Sequence, residues 1–203
     1  MRLFDGGRVP NARRVRIYLA EKGINLTMVP TDIGKMDHKT AEFTARNPLQ
    51  RVPVLELDDG AHLSESIAIC RYFEELQPEP PLFGTGARER AFVEMWNRRA
   101  ELELYLAVQA AFRHTHPAMA EREVPQVPAW GEANRPRALA MMALIDQQLL
   151  ANTYLAGENF SIADITLLVT IDFLKPAKLA VPENLEHLRR WHQLVSSRPS
   201  AAA

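Results

Sequence analysis

An acidic residue followed by a serine, Glu65-Ser66, stands at the start of a helix-like segment and gives the chain a candidate anion site. The first N–H groups of a helix have no partner inside it, and the helix dipole is positive at that end. An anion is therefore favoured next to these two residues. The alternative is that the pair only caps the helix and binds nothing, which its residue types also allow.

Two other kinds of reactive side chain give weaker signals. Cys70 is the only cysteine and lies on the apolar stripe of its helix, which favours a buried structural thiol. It forms no C-x-x-C pair, so a dithiol mechanism is excluded. His114 and His116 stand in a loop near Pro117, without thiols or carboxylates at recognisable metal-ligand spacing, so no metal site is predicted.

Composition narrows the function classes. The chain has 203 residues and a formal net charge of -1, which argues against a nucleic-acid-binding protein because such proteins carry a basic excess. A single cysteine excludes an internal disulfide. The first residues lack the apolar core of a secretory signal, and no apolar run approaches the ~18 residues of a membrane span. The sequence predicts a soluble cytoplasmic protein with no membrane partner.

The elements that position these residues alternate in type through the first half of the chain. Strand-like segments lie at 2–4, 26–29, 54–57 and 61–63. A helix is predicted between Pro10, which suits the first helical position, and Gly23, which suits the residue after the last. Ser64 can cap another helix, which Pro78 stops. The order β-α-β, then β-β-α, predicts a mixed α/β sheet covered by helices.

The composition changes near residue 80. Residues 77–86 are rich in proline and glycine and are interpreted as a linker between an N-terminal domain of residues 1–76 and an all-α domain of residues 87–203. Helices are predicted over Ala87–Phe112, over Pro136–Leu150 and around 185–195. Ser161 and Asp164 have capping-box spacing. The last three alanines, 201–203, are expected to be frayed.

Three segments together resemble the cytosolic glutathione transferases, in particular their bacterial theta-like and Nu-like members. The first runs from Val9 to Gly23 and begins V-P-N-A-R-R-V-R-I. The second is N-P-L-Q-R-V-P-V-L at 47–55, followed by L-S-E-S-I-A-I at 63–69, and the third is the pair Ser161 and Asp164. The resemblance covers nearly the whole chain. It implies a thioredoxin-like N-terminal domain (βαβ then ββα), an all-α C-terminal helical domain and glutathione as the bound thiol.

The resemblance also implies which residues bind the γ-glutamyl and cysteinyl units of glutathione. The hydroxyl and amide of Ser66 would bind the α-carboxylate of the γ-glutamyl unit, and Glu65 would accept from its ammonium. Val52-Pro53 resembles the dipeptide whose peptide bond is cis in this family. Only about 5–6% of X–Pro bonds are cis in folded proteins, so the residues alone do not predict it. The Val52 backbone would pair with the cysteinyl unit.

The glycyl end of glutathione would meet two basic residues. Arg51 stands where the family often has a lysine, and a guanidinium can hold a carboxylate through two parallel hydrogen bonds. His38, thirteen residues earlier, matches a theta-like histidine that approaches the same carboxylate, although a lone histidine is more often a solvated surface residue. The implied glutathione site comprises Val9, Asn11, His38, Arg51, Val52, Pro53, Glu65 and Ser66.

The sulfur itself is expected at the start of the helix that begins at Pro10, where the dipole and unpaired amides lower a thiol pKa. Members of the family normally add a Tyr, Ser or Thr hydroxyl, or a Cys. This chain has Val9 at that position and no Ser, Thr or Cys before Thr27, and Tyr18 lies two turns into the helix. Asn11 is therefore the predicted catalytic residue, as in Nu-like members. The alternative is an ordinary polar residue of the first turn.

The energy of one hydrogen bond is large enough for the Asn11 amide to replace the missing hydroxyl. Lowering a thiol pKa by two units corresponds to about 2.7 kcal/mol, and a hydrogen bond to a charged group supplies roughly 1.5–3 kcal/mol. One well-placed amide could therefore stand in for the missing hydroxyl. Arg8, Arg13 and Arg14 could add positive potential, although arginines on a helix surface are usually solvated.

The resulting interpretation is a glutathione transferase-like enzyme whose glutathione thiolate attacks a hydrophobic electrophile. Glutathione is the co-substrate, no metal is required, and a homodimer is expected by resemblance. Two alternatives stay open: a glutathione-dependent disulfide-bond reductase, and a non-catalytic glutathione- or ligand-binding protein in which Val9 marks lost chemistry. Four residues of the second half are candidates for an acceptor pocket, although core packing explains them equally well: Trp96, Tyr105, Phe112 and His114.

Overall fold

The computed structural model describes all residues, 1–203, and divides into two compact units. The first contains residues 1–82 together with 199–203, and the second contains residues 83–198. The sequence-based division, with a linker at 77–86, assigned the last five residues to the helical domain instead. The structure groups them with the first unit because they contact its first helix.

The first unit is a four-stranded mixed sheet with helices. Its elements are β1 (Arg2–Asp5), α1 (Pro10–Lys22), β2 (Thr27–Pro30), α2 (Ala41–Arg46), β3 (Val54–Glu56), β4 (His62–Ser64) and α3 (Ser66–Leu76). The strand order is β2-β1-β3-β4, with β1 and β2 parallel and the other neighbours antiparallel. This confirms the predicted βαβ–ββα arrangement of a thioredoxin-like domain.

Local sequence explains where α1 begins and ends. Pro10 occupies the first helical position, and Gly23 follows the last with a left-handed backbone (φ 65°) that glycine adopts without strain. Ala12, Val15 and Leu19, which recur at helical spacing on one face of α1, are buried. Each of these three side chains therefore contributes to the hydrophobic core of the first unit.

Two details of the first unit differ from the sequence prediction. A turn of 3-10 helix at Asp37–Lys39 and the helix α2 occupy the segment between β2 and β3, which was predicted only as a connection. Thr40 caps α2 by accepting the Phe43 N–H at 3.2 Å. The predicted cap Ser64 instead ends β4, and α3 begins two residues later.

The second unit is entirely helical. Its helices are α4 (Gly86–Arg98), α5 (Leu106–Thr115), α6 (Pro128–Leu150), α7 (Ile162–Ile171) and α8 (Glu186–Ser196). A π-helical segment at Arg99–Tyr105 joins α4 to α5, so the long helix predicted over Ala87–Phe112 exists with altered winding in its middle. Short 3-10 turns lie at Pro117–Met119 and Lys175–Ala177.

The start of α6 corrects the prediction at Pro136. The helix begins eight residues earlier, at Pro128, which holds the first helical position in its place. Pro136 lies inside the helix, where it has no N–H to donate. The helix predicted from Pro136 is therefore present, but the prediction of its first residue is wrong.

Asp164 lies fully buried at the start of α7 and accepts hydrogen bonds from three different residues of the helical unit. Its Oδ2 accepts from the N–H and the hydroxyl of Ser161 at 3.0 and 3.1 Å, which confirms the predicted capping box. Its Oδ1 accepts from the Leu155 N–H and the Trp191 indole, both at 2.8 Å. Burial raises the pKa of Asp164 to about 6, against the opposing effect of these donors.

The C-terminal alanines are ordered, contrary to the expectation of fraying. Pro199–Ala202 forms a 3-10 turn. The Arg13 guanidinium donates to the Ala201 carbonyl at 2.8 Å, and the Ser200 hydroxyl donates to Glu21. Since Arg13 and Glu21 both belong to α1, this segment packs on the helix whose start is the predicted thiol site.

Candidate functional site

The start of α1 presents unpaired backbone donors. Val9 is the residue before the helix and offers no side-chain cap, and Pro10 has no N–H. The first backbone hydrogen bond of the helix runs from Arg13 N–H to the Val9 carbonyl at 3.0 Å. The N–H groups of Asn11 and Ala12 therefore have no partner within the helix, and the positive end of its dipole lies beside them.

Asn11 adds a polar side chain to this helix start. Its Oδ1 atom is buried and has no hydrogen-bond partner. An unsatisfied buried carbonyl is unfavourable by roughly 1–3 kcal/mol, so such an atom in a native protein calls for a specific reason. A bound molecule with a polar group next to α1 would supply one.

Gly6 lies next to both Val9, the residue before α1, and Val52, which precedes Pro53. A Cβ on Gly6 would lie 2.4 Å from Val52 Cγ2 and 2.9 Å from Val9 Cγ2. The Val9 and Val52 side chains therefore occupy the space that a side chain at position 6 would need. The Val52–Pro53 peptide bond is cis, as the resemblance implied.

Asn47 shapes the loop that precedes Val52. It is almost fully buried, its Nδ2 donates to the Arg51 carbonyl at 2.8 Å, and its Oδ1 accepts the Leu49 N–H at 3.1 Å. Gln50 adopts a left-handed backbone, with φ 54°. In the sequence Asn47 is only one residue of the 47–55 motif, and its positioning role becomes visible only from these contacts.

Glu65 and Ser66 form the start of α3 and do not cap it. Glu65 is the residue before the helix, is exposed and provides no side-chain hydrogen bond to it. Its φ of 69° is a left-handed value that costs an ordinary residue of order 1–3 kcal/mol, and such outliers cluster at binding sites. The capping alternative is wrong for Glu65, and the Ser66 hydroxyl is hydrogen-bonded to a side chain of α1.

That side chain is Arg14, whose Nη1 donates to Ser66 Oγ at 2.7 Å. Arg14 is completely buried, so the general expectation that helix arginines are solvated is wrong at this position. From the sequence, Arg14 was expected only to be one of three arginines that could add positive potential near α1, and its bond to Ser66 was not predicted. No periodicity signal could have identified Arg14, because arginine is seldom found fully buried.

The two basic residues predicted at the glycyl end have different environments. Arg51 is exposed, with its backbone held by Asn47. His38 lies in the 3-10 turn at Asp37–Lys39 and is buried, so it is not the solvated surface residue that a lone histidine most often is. A contact of either side chain with glutathione stays a prediction.

Two side chains considered for thiol chemistry are engaged elsewhere. The Tyr18 hydroxyl is buried and donates to Glu74 at 2.5 Å, and burial raises its pKa far above the usual range. Cys70 is buried, and desolvation likewise raises the pKa of its thiol. Neither supplies a nucleophile or a donor at the start of α1.

The four acceptor-pocket candidates lie in the helical unit, each with its own neighbours. Trp96 is buried with the Arg99 guanidinium over its ring, and the Tyr105 hydroxyl accepts from Gln109. The Phe112 ring contacts those of His116 and Phe173. His114 Nδ1 accepts the Val127 N–H at 3.1 Å, which leaves Nε2 to carry the proton. A shared pocket formed by these four stays a prediction.

No group of three or more His, Cys, Asp or Glu side chains is placed to hold a metal ion. None of the helices combines the length and the apolar character that a membrane crossing requires.

Comparison with known proteins identifies the family. The chain matches the glutathione S-transferase N-terminal domain over residues 10–76 and the glutathione S-transferase C-terminal domain over residues 104–199. The chain belongs to the glutathione S-transferase family. It is 40% identical to glutathione S-transferase 2 of Saccharomyces cerevisiae over 98% of this chain and 87% of that protein.

Solved structures of glutathione transferases share the whole fold. Gtt2 from Saccharomyces cerevisiae superposes with a TM-score of 0.95 at 40% identity, over 100% of this chain and 99% of that one. A glutathione S-transferase domain-containing protein of Marinobacter aquaeolei gives the same TM-score and identity over 98% and 99% of the two chains. Elongation factor 1-gamma 2 of Oryza sativa is 26% identical over 98% of this chain but only 46% of its own length. These findings confirm the predicted family, fold and class of enzyme.

Proposed function

We propose that this glutathione transferase activates glutathione at the start of α1 through the Asn11 side-chain amide and the N–H groups of Asn11 and Ala12. The observation that carries the proposal is the buried, unpartnered Oδ1 of Asn11 beside a helix start without a side-chain cap. The same side chain carries Nδ2, whose N–H groups can donate to a sulfur at this helix start. The thiolate then attacks an electrophilic small molecule.

The rest of the tripeptide would lie along the first unit. The backbone of Val52 pairs with the cysteinyl unit, and its place next to Val9 supports this because both valines contact Gly6. Ser66 and the α3 start bind the γ-glutamyl carboxylate, and Glu65 accepts from the ammonium. Arg51 and His38 serve the glycyl carboxylate.

The expected effect of Asn11 is measurable. One hydrogen bond from an amide to a thiolate is worth roughly 1.5–3 kcal/mol, or about one to two units of thiol pKa. The backbone amides and the helix dipole add to this. The thiol of bound glutathione should therefore have a pKa well below that of the free tripeptide.

The test is a pH titration of thiolate ultraviolet absorbance for glutathione bound to the wild-type chain and to Asn11→Ala. We expect the thiol pKa to rise by about one to two units in the variant. Asn25→Ala is the matched control, because Asn25 is an exposed asparagine of the same unit. An unchanged thiol pKa in Asn11→Ala removes Asn11 from the mechanism, and a wild-type pKa equal to that of free glutathione favours the binding-only alternative.

Glutathione-dependent disulfide reduction is a second candidate, favoured by Val9 together with Asn11 at the start of α1. Because Cys70 is inaccessible, both electrons would come from two glutathione molecules. The bound thiolate attacks one sulfur of the substrate disulfide and releases the other as a thiol. A second glutathione attacks the mixed disulfide, which releases the remaining substrate thiol and oxidised glutathione. Parallel assays with an aryl halide and a small disulfide separate the two reactions.

A homodimer and a cytoplasmic location are proposed on the family resemblance. Leu102, in the π-helical segment, and Leu106, the first residue of α5, expose 47% and 44% of their surface, which supports an apolar contact with a second copy. Light scattering on the purified chain tests the dimer. Leu102→Lys combined with Leu106→Lys should give a monomer of unchanged helix content.

A further inference from the structure

Arg14 is a buried guanidinium directly behind the start of α3. It belongs to α1, has no exposed surface and donates through Nη1 to Ser66 Oγ at 2.7 Å. Ser66 is itself 5% exposed and is the first residue of α3. Burying an arginine completely is costly, so a role specific to this position is expected.

The bond fixes the direction in which the Ser66 hydroxyl can donate. A hydroxyl has one hydrogen to donate and two lone pairs that accept. Arg14 has no acceptor, so it occupies a lone pair of Oγ and leaves the hydroxyl hydrogen for another partner. Since the residue before the helix provides no side-chain cap, the first N–H groups of α3 are also available to that partner.

The electrostatic effect acts in the same direction. The start of α3 carries the positive end of the helix dipole, and the Arg14 guanidinium adds a full positive charge close to it. Buried charges are screened by salt much less than exposed ones. An anion at Ser66 is therefore attracted by the hydroxyl, by the helix start and by a charge that it does not touch.

We propose that Arg14 is a positioning residue that orients the Ser66 hydroxyl toward the γ-glutamyl carboxylate of glutathione and adds charge behind it. The inference rests on the proposed function, because it takes Ser66 as the binding residue for that carboxylate. It makes recognition of the carboxylate end, rather than activation of the sulfur, the step that depends on Arg14.

The experiment compares two thiols that differ only in the carboxylate. Glutathione and its decarboxylated analogue 4-aminobutanoyl-Cys-Gly are assayed with an aryl halide on the wild-type chain, Arg14→Met and Arg14→Lys. Loss of a hydrogen bond to a charged group is worth roughly 1.5–3 kcal/mol, so we expect KM for glutathione to rise about 10- to 100-fold in Arg14→Met, with kcat changed less than about 3-fold. KM for the analogue should change less than about 3-fold. Arg14→Lys should recover part of the loss because it keeps the charge.

Arg71→Met is the matched control, because it removes one exposed guanidinium from α3 and should leave both KM values unchanged. An equal loss for both thiols in Arg14→Met would show a merely structural role and overturn the inference. So would unchanged KM values. If Arg14→Met does not fold, Arg14→Lys and Ser66→Ala carry the same comparison, since Ser66→Ala should also be selective for the thiol that has the carboxylate.

Calorimetric binding of the two thiols separates this inference from the proposed function. If the wild-type chain binds neither thiol, both proposals fail. If it binds glutathione and the analogue with equal affinity, the γ-glutamyl carboxylate is not recognised and the role of Arg14 fails alone. If it binds glutathione more tightly but lowers no thiol pKa, the activation proposal fails while the Arg14 comparison is read from the two dissociation constants.

Discussion

Val9 and Val52 both pack against Gly6, where a Cβ would lie 2.9 Å from the Val9 side chain and 2.4 Å from the Val52 side chain. The start of α1 and the loop before β3 therefore both contact Gly6. Residues separated by more than forty positions in sequence share this contact. The predicted sulfur position and the predicted cysteinyl contact consequently depend on a single glycine.

Gly6→Ala should damage the site more than its small size suggests. Real Cβ atoms do not approach other side chains to 2.4 Å, so the valines or the backbone must move apart. We expect a loss of about 1–3 kcal/mol in the free energy of unfolding, as for other overpacked sites, together with a higher KM for glutathione. Gly34→Ala is the control, because its added Cβ would meet only the Asp32 carboxylate at 3.0 Å. Equal unfolding midpoints for the two variants would contradict the argument.

Val9→Ser should restore the hydroxyl that most family members carry before this proline. A serine at this position adds a donor beside the N–H groups of Asn11 and Ala12 and is a preferred residue before a helix. The thiol pKa of bound glutathione should fall by about one unit or more relative to the wild-type chain. The measurement is thiolate absorbance against pH. A thiol pKa that does not fall would place the sulfur away from the start of α1.

Many element boundaries of the first unit could be predicted from turn residues and from residues that start or stop helices. Pro10 and Gly23 mark the ends of α1, and Asp58-Asp59-Gly60, a sequence that favours a hairpin turn, joins β3 to β4. These signals are local, because they depend on backbone conformations that few residue types adopt. The same logic misplaced the start of α6, since a proline at 128 and a proline at 136 both suit a first helical position.

The missing parts of the site depend on contacts between distant segments. Arg14 and Ser66 are fifty-two positions apart, and Asn47 acts on the backbone of Arg51 through its side chain. Residue type gives little help, because arginine usually lies on the surface. The π-helical segment at Arg99–Tyr105 was likewise not predicted, because the sequence indicated a single helix over Ala87–Phe112.

Lys22 and Glu74 form a buried ion pair, with 2.5 Å between Nζ and Oε2. The ammonium also donates to the carbonyls of Gln77 and Pro78 at 2.9 and 3.1 Å. Lys22→Met should cost about 3–5 kcal/mol in the free energy of unfolding, because it leaves the Glu74 carboxylate buried without its ammonium. Glu74→Gln should cost less, since the ammonium keeps its carbonyl acceptors. Urea unfolding followed by circular dichroism checks the order, and the reverse order would contradict it.

Asp164 should make the helical unit less stable as the pH rises from about 4 to 6. Its pKa is raised by burial from 3.8 to about 6, so the folded chain holds the proton over a range in which the unfolded chain has lost it. Stability falls with pH wherever the folded state binds more protons. A shift of about two units corresponds to at most about 3 kcal/mol. Asp164→Asn removes this titration and places an amide N–H₂ against the Ser161 N–H, which costs about 1–3 kcal/mol.

The measurement is urea unfolding at a series of pH values from 4 to 7, followed by tryptophan fluorescence. All three tryptophans, at 96, 130 and 191, lie in the helical unit, so the signal reports its unfolding. The stability deficit of Asp164→Asn relative to the wild-type chain should narrow as the pH rises, while Glu121→Gln on an exposed loop follows the wild type throughout. A deficit that widens with pH would mean that the four donors to Asp164 outweigh its burial and that the carboxylate is ionised in the folded chain.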